Sequence, residues 1–295
     1  MRNPVYKHNM NTVNWTLWLL LAMTYCALTY NPLYQLLLFA ALAAAAVSGK
    51  QPLKTYVKTG LLASAIPLFV NTFLIHMGET VVYTIPASVN LNGLEIPLPI
   101  FAGPITIEST SVGVVMTIFL VNMLTAFQIF NSTTTPDAIL RLMPSSMPGV
   151  ALITSISLRF IPTVAADHSS IRDAQVSRGV RLDSGPLRAR IRNHASTLAP
   201  TVITALERAF NLAESMASRG YTGGRTRYRH ERWGRSEKIV SLAYMLSLLL
   251  TLHAKYAGAF DYWPYESTRL PAPSLLALMP LAALAIPILL KNERR

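Results

Sequence analysis

The sequence predicts an all-α, polytopic membrane protein with about six transmembrane helices and a block of cytoplasmic helices. Of its 295 residues, 52% are hydrophobic and only 14% are charged, whereas an average soluble domain has roughly 25% charged residues. The few charges give a formal net charge of +12. A soluble nucleic-acid-binding protein rarely combines high apolar content with such a charge, so the composition disfavours that class. The single cysteine, Cys26, excludes a disulfide framework and a Cys-based metal site.

Six apolar runs are long enough, or nearly so, to cross a bilayer core of about 30 Å as helices. The first two are separated only by Asn31-Pro32, which predicts antiparallel neighbours joined by a tight turn. The predicted spans are residues 15–30, 33–47, 57–75, 111–130, 239–256 and 273–290.

The orientation follows from the loops, because Lys and Arg collect on the cytoplasmic side. The segment 131–237 holds 15 Arg and no Lys, whereas 76–110 holds three Glu and no Lys or Arg. With six spans, the basic loops lie on one side and the acidic loop on the other. We therefore expect a multi-pass protein of the cell membrane with both termini in the cytoplasm.

A rival span covers residues 150–166, which are apolar but contain Arg159 and Pro162. An Arg at mid-bilayer costs at least about 2.5 kcal/mol, and a seventh span would place basic segments on the wrong face. The preferred interpretation is a helix on the inner membrane surface, and a seventh span stays the alternative.

The spans and loops predict three regions. Residues 1–130 form four transmembrane helices with an outer loop at 76–110, residues 131–237 form the cytoplasmic block, and residues 238–295 form two more transmembrane helices. In the outer loop, Asn92-Gly93 between alternating apolar residues predicts a short β-hairpin.

The cytoplasmic block reads as helices at about 135–143, 148–176 and 187–219, the last bent or divided at Pro200. Val202, Leu206, Ala209, Ala213 and Met216 form one apolar stripe on the last of these helices.

Both long helices of this block end in the same tripeptide, Ser177-Arg178-Gly179 and Ser218-Arg219-Gly220. An Arg at a helix end ordinarily complements the negative end of the helix dipole. Small neighbours on both sides also leave the guanidinium free to fork onto carboxylates or carbonyls of a partner. The repeat predicts a docking site.

Several motifs resemble the transmembrane (T) component of energy-coupling factor (ECF) transporters, of the cobalt and biotin type. The similarity covers about residues 30 to 230 in order, with Ser in place of the usual Ala before each docking Arg. The motifs are Asn31-Pro32, Ile105-Thr106 with Glu108, Thr134-Thr135-Pro136-Asp137, Ser157 to Pro162, Ile171 to Gln175, Ser177-Arg178-Gly179, and Glu214 to Tyr221 with Arg225-Thr226.

The resemblance implies an energy-coupling scaffold between two ABC ATPases and a small substrate-binding membrane (S) subunit for a vitamin or transition-metal ion. The two Ser-Arg-Gly ends would insert into the ATPases. The chain itself would need no cofactor, since ATP and Mg²⁺ would be bound by the ATPases. Residues expected to support these coupling helices are Arg159, Pro162, Arg172, Asp173, Gln175, Glu214 and Tyr221.

Other functions find less support. The only Gly-Lys pair, Gly49-Lys50, lies outside any phosphate-binding loop, so the chain is not itself an ATPase. A secondary transporter usually needs acidic groups inside the membrane, and the six spans contain none. Asn122 and Gln128 are expected to bond to neighbouring helices, and Asp167-His168 to lie on a solvated helix face.

A conventional ABC permease stays the nearest alternative, together with a secondary transporter that carries its own substrate pathway. A membrane enzyme is less favoured than either. The basic, aromatic segment 225–235 is interpreted as an anchor on anionic lipid rather than an RNA-binding site.

Overall fold

A computed structural model describes residues 10–86, 88–91, 94–97, 103–140, 142, 148–180, 184–221, 233–262 and 273–288. The chain forms two compact units. The first unit joins residues 1–135 to residues 231–295, and the second unit is residues 136–230.

The described residues are predominantly helical, which confirms the all-α prediction, with two small sheets in the outer loop. The helices are α1 Thr12–Leu28, α2 Pro32–Ser48, α3 Leu53–Phe73, α4 Ile107–Thr133, α5 Pro136–Leu140, α6 Pro148–Ser177, α7 Leu187–Ser218, α8 Arg235–Tyr256 and α9 Leu275–Leu284. The strands are β1 Val81–Ile85, β2 Ser88–Leu91, β3 Leu94–Pro97 and β4 Gly103–Thr106.

Three of these helices, α4, α6 and α8, are long and apolar enough to cross a membrane by length and composition. Shorter apolar helices coincide with the predicted spans at α1, α2 and α9. The predicted third span falls on α3, which has 21 residues and begins with two exposed lysines, Lys54 and Lys58.

Helix α1 lies at the centre of the first unit and is tied to α9 by buried aromatic side chains. The indole Nε1 of Trp18 donates to the carbonyl of Leu284 at 3.1 Å, and the hydroxyl of Tyr25 donates to the carbonyl of Ala277 at 3.0 Å. Both side chains are fully buried. Buried Trp and Tyr need such partners for their polar atoms, so these bonds fix the register of α1 against α9.

A buried polar network joins α1, α2 and α4. The Nε2 atom of Gln35 donates to the carbonyls of Cys26 and Thr29, and the Nδ2 atom of Asn122 donates to Oε1 of Gln35 at 2.8 Å. Gln128 donates to Thr59 on α3 at 2.9 Å. Bonds between helices stabilise packing inside a membrane. The prediction that Asn122 and Gln128 bond to neighbouring helices is therefore confirmed.

Helices α3 and α4 pack closely because glycine faces the neighbouring helix at two levels. A Cβ atom on Gly60 would lie 3.1 Å from Cα of Val121, and one on Gly113 would lie 3.2 Å from Cδ1 of Leu68. The pairing of early α3 with late α4, and the reverse, shows that the two helices are antiparallel. Small residues commonly permit such close approach in membrane proteins.

Two hydrogen bonds join the first and last parts of the chain within the first unit. The start of α8 lies beside the start of α1, because Asn11 donates to the Glu237 carboxylate at 3.2 Å and Asn14 donates to the Glu237 carbonyl at 3.3 Å. Helices α1 and α8 therefore begin at the same end of the first unit.

We predict that both ends of α6 are on one side of the membrane. In intact cells that carry the Gly149→Cys or the Ser184→Cys variant, a membrane-impermeant maleimide should not label the introduced cysteine. Labelling should occur once the membrane is opened. Val82→Cys, in the outer loop, should be labelled in intact cells. Cys26 is buried and gives little background. Labelling of Gly149→Cys and Ser184→Cys from opposite sides would establish a seventh span.

The outer loop contains the predicted hairpin and one sheet that was not predicted. Strands β2 and β3 pair antiparallel with Leu91 opposite Leu94, which confirms the hairpin strands, while the turn residues 92 and 93 lie outside the described residues. Strand β1 pairs with β4. The Glu108 carboxylate, in the first turn of α4, accepts the Thr80 hydroxyl at 2.7 Å and holds this sheet to the helix.

The second unit consists of the short helix α5 and the two long helices α6 and α7. The predicted bounds of α6 and α7 agree with the structure to within one residue. Helix α7 is not divided, since it continues through Pro200. Helix α5 ends at Leu140, two or three residues earlier than predicted. The expected stop at Pro144 lies outside the described residues.

Candidate functional site: two matched helix ends

Helix α6 ends in a Schellman motif around the first Ser-Arg-Gly. Gly179 has a left-handed backbone, with φ of 86°. The amide of Val180 donates to the carbonyl of Gln175 at 3.1 Å, and the amide of Gly179 donates to the carbonyl of Val176 at 2.9 Å. These two bonds define the motif and satisfy the last helix carbonyls. Arg178 is thereby placed at the C-cap.

Helix α7 ends in the same way around the second Ser-Arg-Gly. Gly220 has φ of 68°, the amide of Tyr221 donates to the carbonyl of Met216 at 3.0 Å, and the amide of Gly220 donates to the carbonyl of Ala217 at 2.9 Å. Arg219 occupies the C-cap. The sequence repeat is therefore also a repeat of backbone geometry, with each arginine at the same position of the same motif.

The residues on either side of each arginine leave its side chain unobstructed. The Ser177 hydroxyl donates to the Asp173 carbonyl at 2.9 Å, and the Ser218 hydroxyl donates to the Ser215 carbonyl at 3.1 Å. Each serine is thus satisfied within its own helix. Among the residues that the structure describes, no further side chain or backbone atom lies within 4 Å of a Cβ built on Gly179 or on Gly220. The open space on this side would accept a partner surface.

Arg178 and Arg219 are both exposed. Within the described ranges, neither guanidinium has an ion pair or hydrogen bond. A guanidinium presents five donors in a planar fork, so each helix end offers a complete set of donors for carboxylates or carbonyls. We conclude that the two ends are chemically equivalent and available.

The predicted supporting residues divide between backbone and surface roles. The carbonyls of Asp173 and Gln175 and the amide of Tyr221 take part in the two helix ends. The Asp173 side chain and four other predicted residues occupy exposed positions of α6 and α7. These four residues are Arg159, Pro162, Arg172 and Glu214. Their supporting role stays a prediction. Arg225 and Thr226, and most of the basic segment 225–235, lie outside the described residues.

Two polar contacts connect α6 to α7. Nη2 of Arg208 lies 3.0 Å from Oδ2 of Asp167, and Nδ1 of His168 lies 3.2 Å from the Thr201 hydroxyl oxygen. The prediction of a solvated face at Asp167 and His168 is therefore wrong. Both side chains are partly buried against α7. Their partners lie 41 and 33 residues further along the chain, so the local sequence pattern gave no sign of these contacts. These contacts set how the two helices cross.

We predict that the Asp167–Arg208 pair narrows the range of crossing angles. The pair is partly exposed, so it contributes at most about 1 kcal/mol. Asp167→Asn or Arg208→Gln should broaden the distance distribution between spin labels on Ser170 and Asn211. Exchange of the two charges should restore the distribution, and the neighbouring exposed variant Glu207→Gln should leave it unchanged. Unchanged distances in the single variants would contradict this role.

Beside these contacts lies an open, apolar groove of about 550 Å³ between α6 and α7. Its wall includes Phe160, Ile161, Val164, Ala165, Leu198 and Thr201. Since His168 and Thr201 bond to one another, the groove is lined chiefly by hydrocarbon. Among the described residues there is no cluster of three or more His, Cys, Asp or Glu that could hold a metal ion.

These features define a class of protein: a helical membrane protein with an attached pair of long helices that bear two matched arginine ends. The chain belongs to the CbiQ cobalt transport protein family, which it matches over residues 5–229. It therefore belongs to the T components, which are the transmembrane proteins of ECF transporters.

Curated relatives support this membership. The energy-coupling factor transporter transmembrane protein EcfT of Bacillus selenitireducens is 30% identical over 229 residues, which cover 68% of this chain and 80% of that protein. EcfT of Exiguobacterium sibiricum is 45% identical over 104 residues, and EcfT of Bacillus subtilis is 43% identical over 109 residues. The last two matches cover 34% and 36% of this chain, and 40% and 41% of those relatives.

Proposed function

We propose that this chain is the energy-coupling scaffold of an ECF-type importer. Arg178 and Arg219 each dock one ABC ATPase on the cytoplasmic side, and the membrane helices hold a substrate-binding S subunit. ATP and Mg²⁺ are bound by the ATPases, and the chain itself catalyses no reaction. The cargo is a vitamin or a transition-metal ion, and it is selected by the S subunit.

The observation that supports this proposal is the pair of matched helix ends, which share one motif of backbone hydrogen bonds. A dimer of ATPases presents two equivalent surfaces, and a single scaffold chain needs two equivalent contacts to meet them. The two Schellman ends supply the same backbone geometry and the same exposed guanidinium twice. Arginine suits such a contact because its fork bonds carboxylates and helix-end carbonyls in a defined orientation.

Movement of the ATPases would reach the membrane through the crossing of α6 and α7. Long helices act as levers, and a small rotation at their ends is carried as a rigid-body movement. The Asp167–Arg208 and His168–Thr201 contacts couple the two levers at their crossing. Nucleotide-driven movement at one end therefore changes the position of both helices together.

Subunit stoichiometry tests the proposal. The chain, tagged and purified from native membranes in mild detergent, should give one intact complex by native mass spectrometry. That complex should contain one copy of this chain, two ATPase subunits and one smaller membrane protein. A conventional ABC permease made of this chain would instead contain two copies of it with two ATPases. A secondary transporter or membrane enzyme would contain no ATPase, and either result would overturn the scaffold function.

A further inference from the structure

Helix α8, which is long and apolar enough to cross a membrane, has one buried face and one exposed apolar face. The residues on the buried face are Val240, Tyr244, Thr251 and Ala254. The large apolar residues on the opposite face are Ile239, Leu242, Leu246 and Leu249, each between 59% and 70% exposed. At about 100° per residue, these four side chains lie within about 80° of one another around the helix.

The composition of this exposed face is typical of contact with acyl chains. Contacts between membrane helices commonly use small residues that allow close approach, as Gly60 and Gly113 do between α3 and α4. The exposed face of α8 instead consists of Ile and Leu. It extends about 15 Å along the helix axis, which is about half the thickness of a bilayer core of about 30 Å. One leaflet would therefore cover it.

Two basic side chains lie at the start of the same face. Arg235 and Lys238 are in the first turn of α8 and lie within about 60° of the middle of the apolar face. Both are exposed, and neither side chain has an ion pair or hydrogen bond within the described parts of the chain. The acidic residue between them, Glu237, is turned to the other side and accepts from Asn11 at 3.2 Å. Because the positive end of the helix dipole disfavours cations in a first turn, an anionic partner would stabilise both side chains.

We propose that Arg235 and Lys238 bind the headgroup of an anionic phospholipid, whose acyl chain lies along the apolar face of α8. Trp233 is 48% exposed and precedes Arg235 by two residues, a position typical of an aromatic residue at the headgroup level. The charge distribution of the sequence predicts that this end of α8 is cytoplasmic, where anionic lipids are concentrated. The site defines the lipid anchor that was expected from segment 225–235, and it does not depend on ATPase docking.

Binding at this site would hold α8 at a defined depth in the bilayer, because Arg and Lys at helix ends keep their charged groups at the headgroup level. The Glu237 side chain and carbonyl accept hydrogen bonds from Asn11 and Asn14, at the start of α1. Helix α1 would therefore be held at the same depth as α8.

Lipid quenching in nanodiscs tests this site on the purified native complex. A fluorophore on an Ile239→Cys variant should be quenched several-fold more by phosphatidylglycerol than by phosphatidylcholine, each spin-labelled near the top of an acyl chain and used at the same mole fraction. The buried Cys26 contributes little background.

A fluorophore on Leu252→Cys is the matched control on the same helix. Leu252 is 42% exposed and lies about 20 Å further along the helix axis than Ile239. The nearby cation, Lys255, is paired with Asp261 at 3.0 Å. The two lipids should therefore quench this control equally.

Charge variants test whether the two cations cause the preference. Arg235→Gln with Lys238→Gln should bring the quenching ratio at Ile239→Cys close to one, since each basic side chain contributes up to about fivefold in attraction to an anionic surface. Arg235→Lys with Lys238→Arg keeps both charges and should retain most of the preference. Lys54→Gln with Lys58→Gln removes two exposed lysines from the start of α3 and should leave the ratio at Ile239→Cys unchanged.

Three results would overturn the proposal. Equal quenching by the two lipids at Ile239→Cys would show that the face has no preference for anionic headgroups. An equal loss of preference in the Lys54 and Lys58 variant would show that total charge, rather than a site on α8, attracts the lipid. A fluorophore that is shielded from water and quenched by neither lipid would show that a protein surface covers the face. The ATPase content of the same preparation reports separately on the proposed scaffold function.

Discussion

Reversal of both docking arginines, Arg178→Glu with Arg219→Glu, is expected to release the ATPases completely and to abolish uptake. Each arginine offers charge-assisted hydrogen bonds, which contribute about 1.5–3 kcal/mol each, and a glutamate would repel the carboxylates that arginine attracts. Loss at two sites lowers affinity by roughly a thousandfold or more. The measurement is the ATPase content of the purified complex by native mass spectrometry, together with uptake in vesicles.

Single and control variants make this expectation specific. Either reversal alone should leave complexes with one ATPase, because each helix end is proposed to dock a separate ATPase. Arg178→Lys with Arg219→Lys should give an intermediate loss, since lysine retains the charge but lacks the fork. Ser196→Glu with Asn211→Glu adds acidic charge elsewhere on α7 and should retain both ATPases. Full ATPase content in the double arginine reversal would reject the docking assignment.

Local sequence signals predicted the helices that carry the candidate site. The bounds of α6 and α7 follow from proline near the start, glycine past the end and apolar residues at helical spacing. These signals extend over only a few residues, so helix bounds can be predicted from them without knowledge of the fold. The predicted Asn92-Gly93 turn is a signal of the same kind, and the pairing of Leu91 with Leu94 agrees with it.

Features that join distant parts of the chain were not predicted. The pairing of Asp167 with Arg208 spans 41 residues, and the bond from Asn122 to Gln35 spans 87 residues. Strand β1 meets β4 only after the hairpin intervenes. The Asn122 prediction named a neighbouring helix as partner but could not name Gln35, because several polar residues on other helices were equally plausible. Long-range pairing depends on packing, and packing has no local signal.

The third residue of each motif is glycine because the backbone there is left-handed. Gly179 and Gly220 have φ of 86° and 68°, and a Cβ at either position would lie more than 4 Å from its non-adjacent neighbours in the described part of the chain. Space therefore does not require glycine, but the left-handed backbone does. A non-glycine residue in this conformation costs roughly 1–2 kcal/mol, and a β-branched residue is especially unfavourable there.

Gly179→Val with Gly220→Val is therefore expected to release the ATPases while the two helices stay formed. Relief of the strain would unwind each helix end and displace Arg178 and Arg219 from the C-cap, with about a tenfold loss of affinity per site. The matched control is Gly149→Val, at a glycine that has equal space but no left-handed backbone. The readout is ATPase content, with helicity by circular dichroism to show that α6 and α7 persist. If Gly149→Val and the double variant retained ATPases equally, the geometry of the helix ends would not be what positions the arginines.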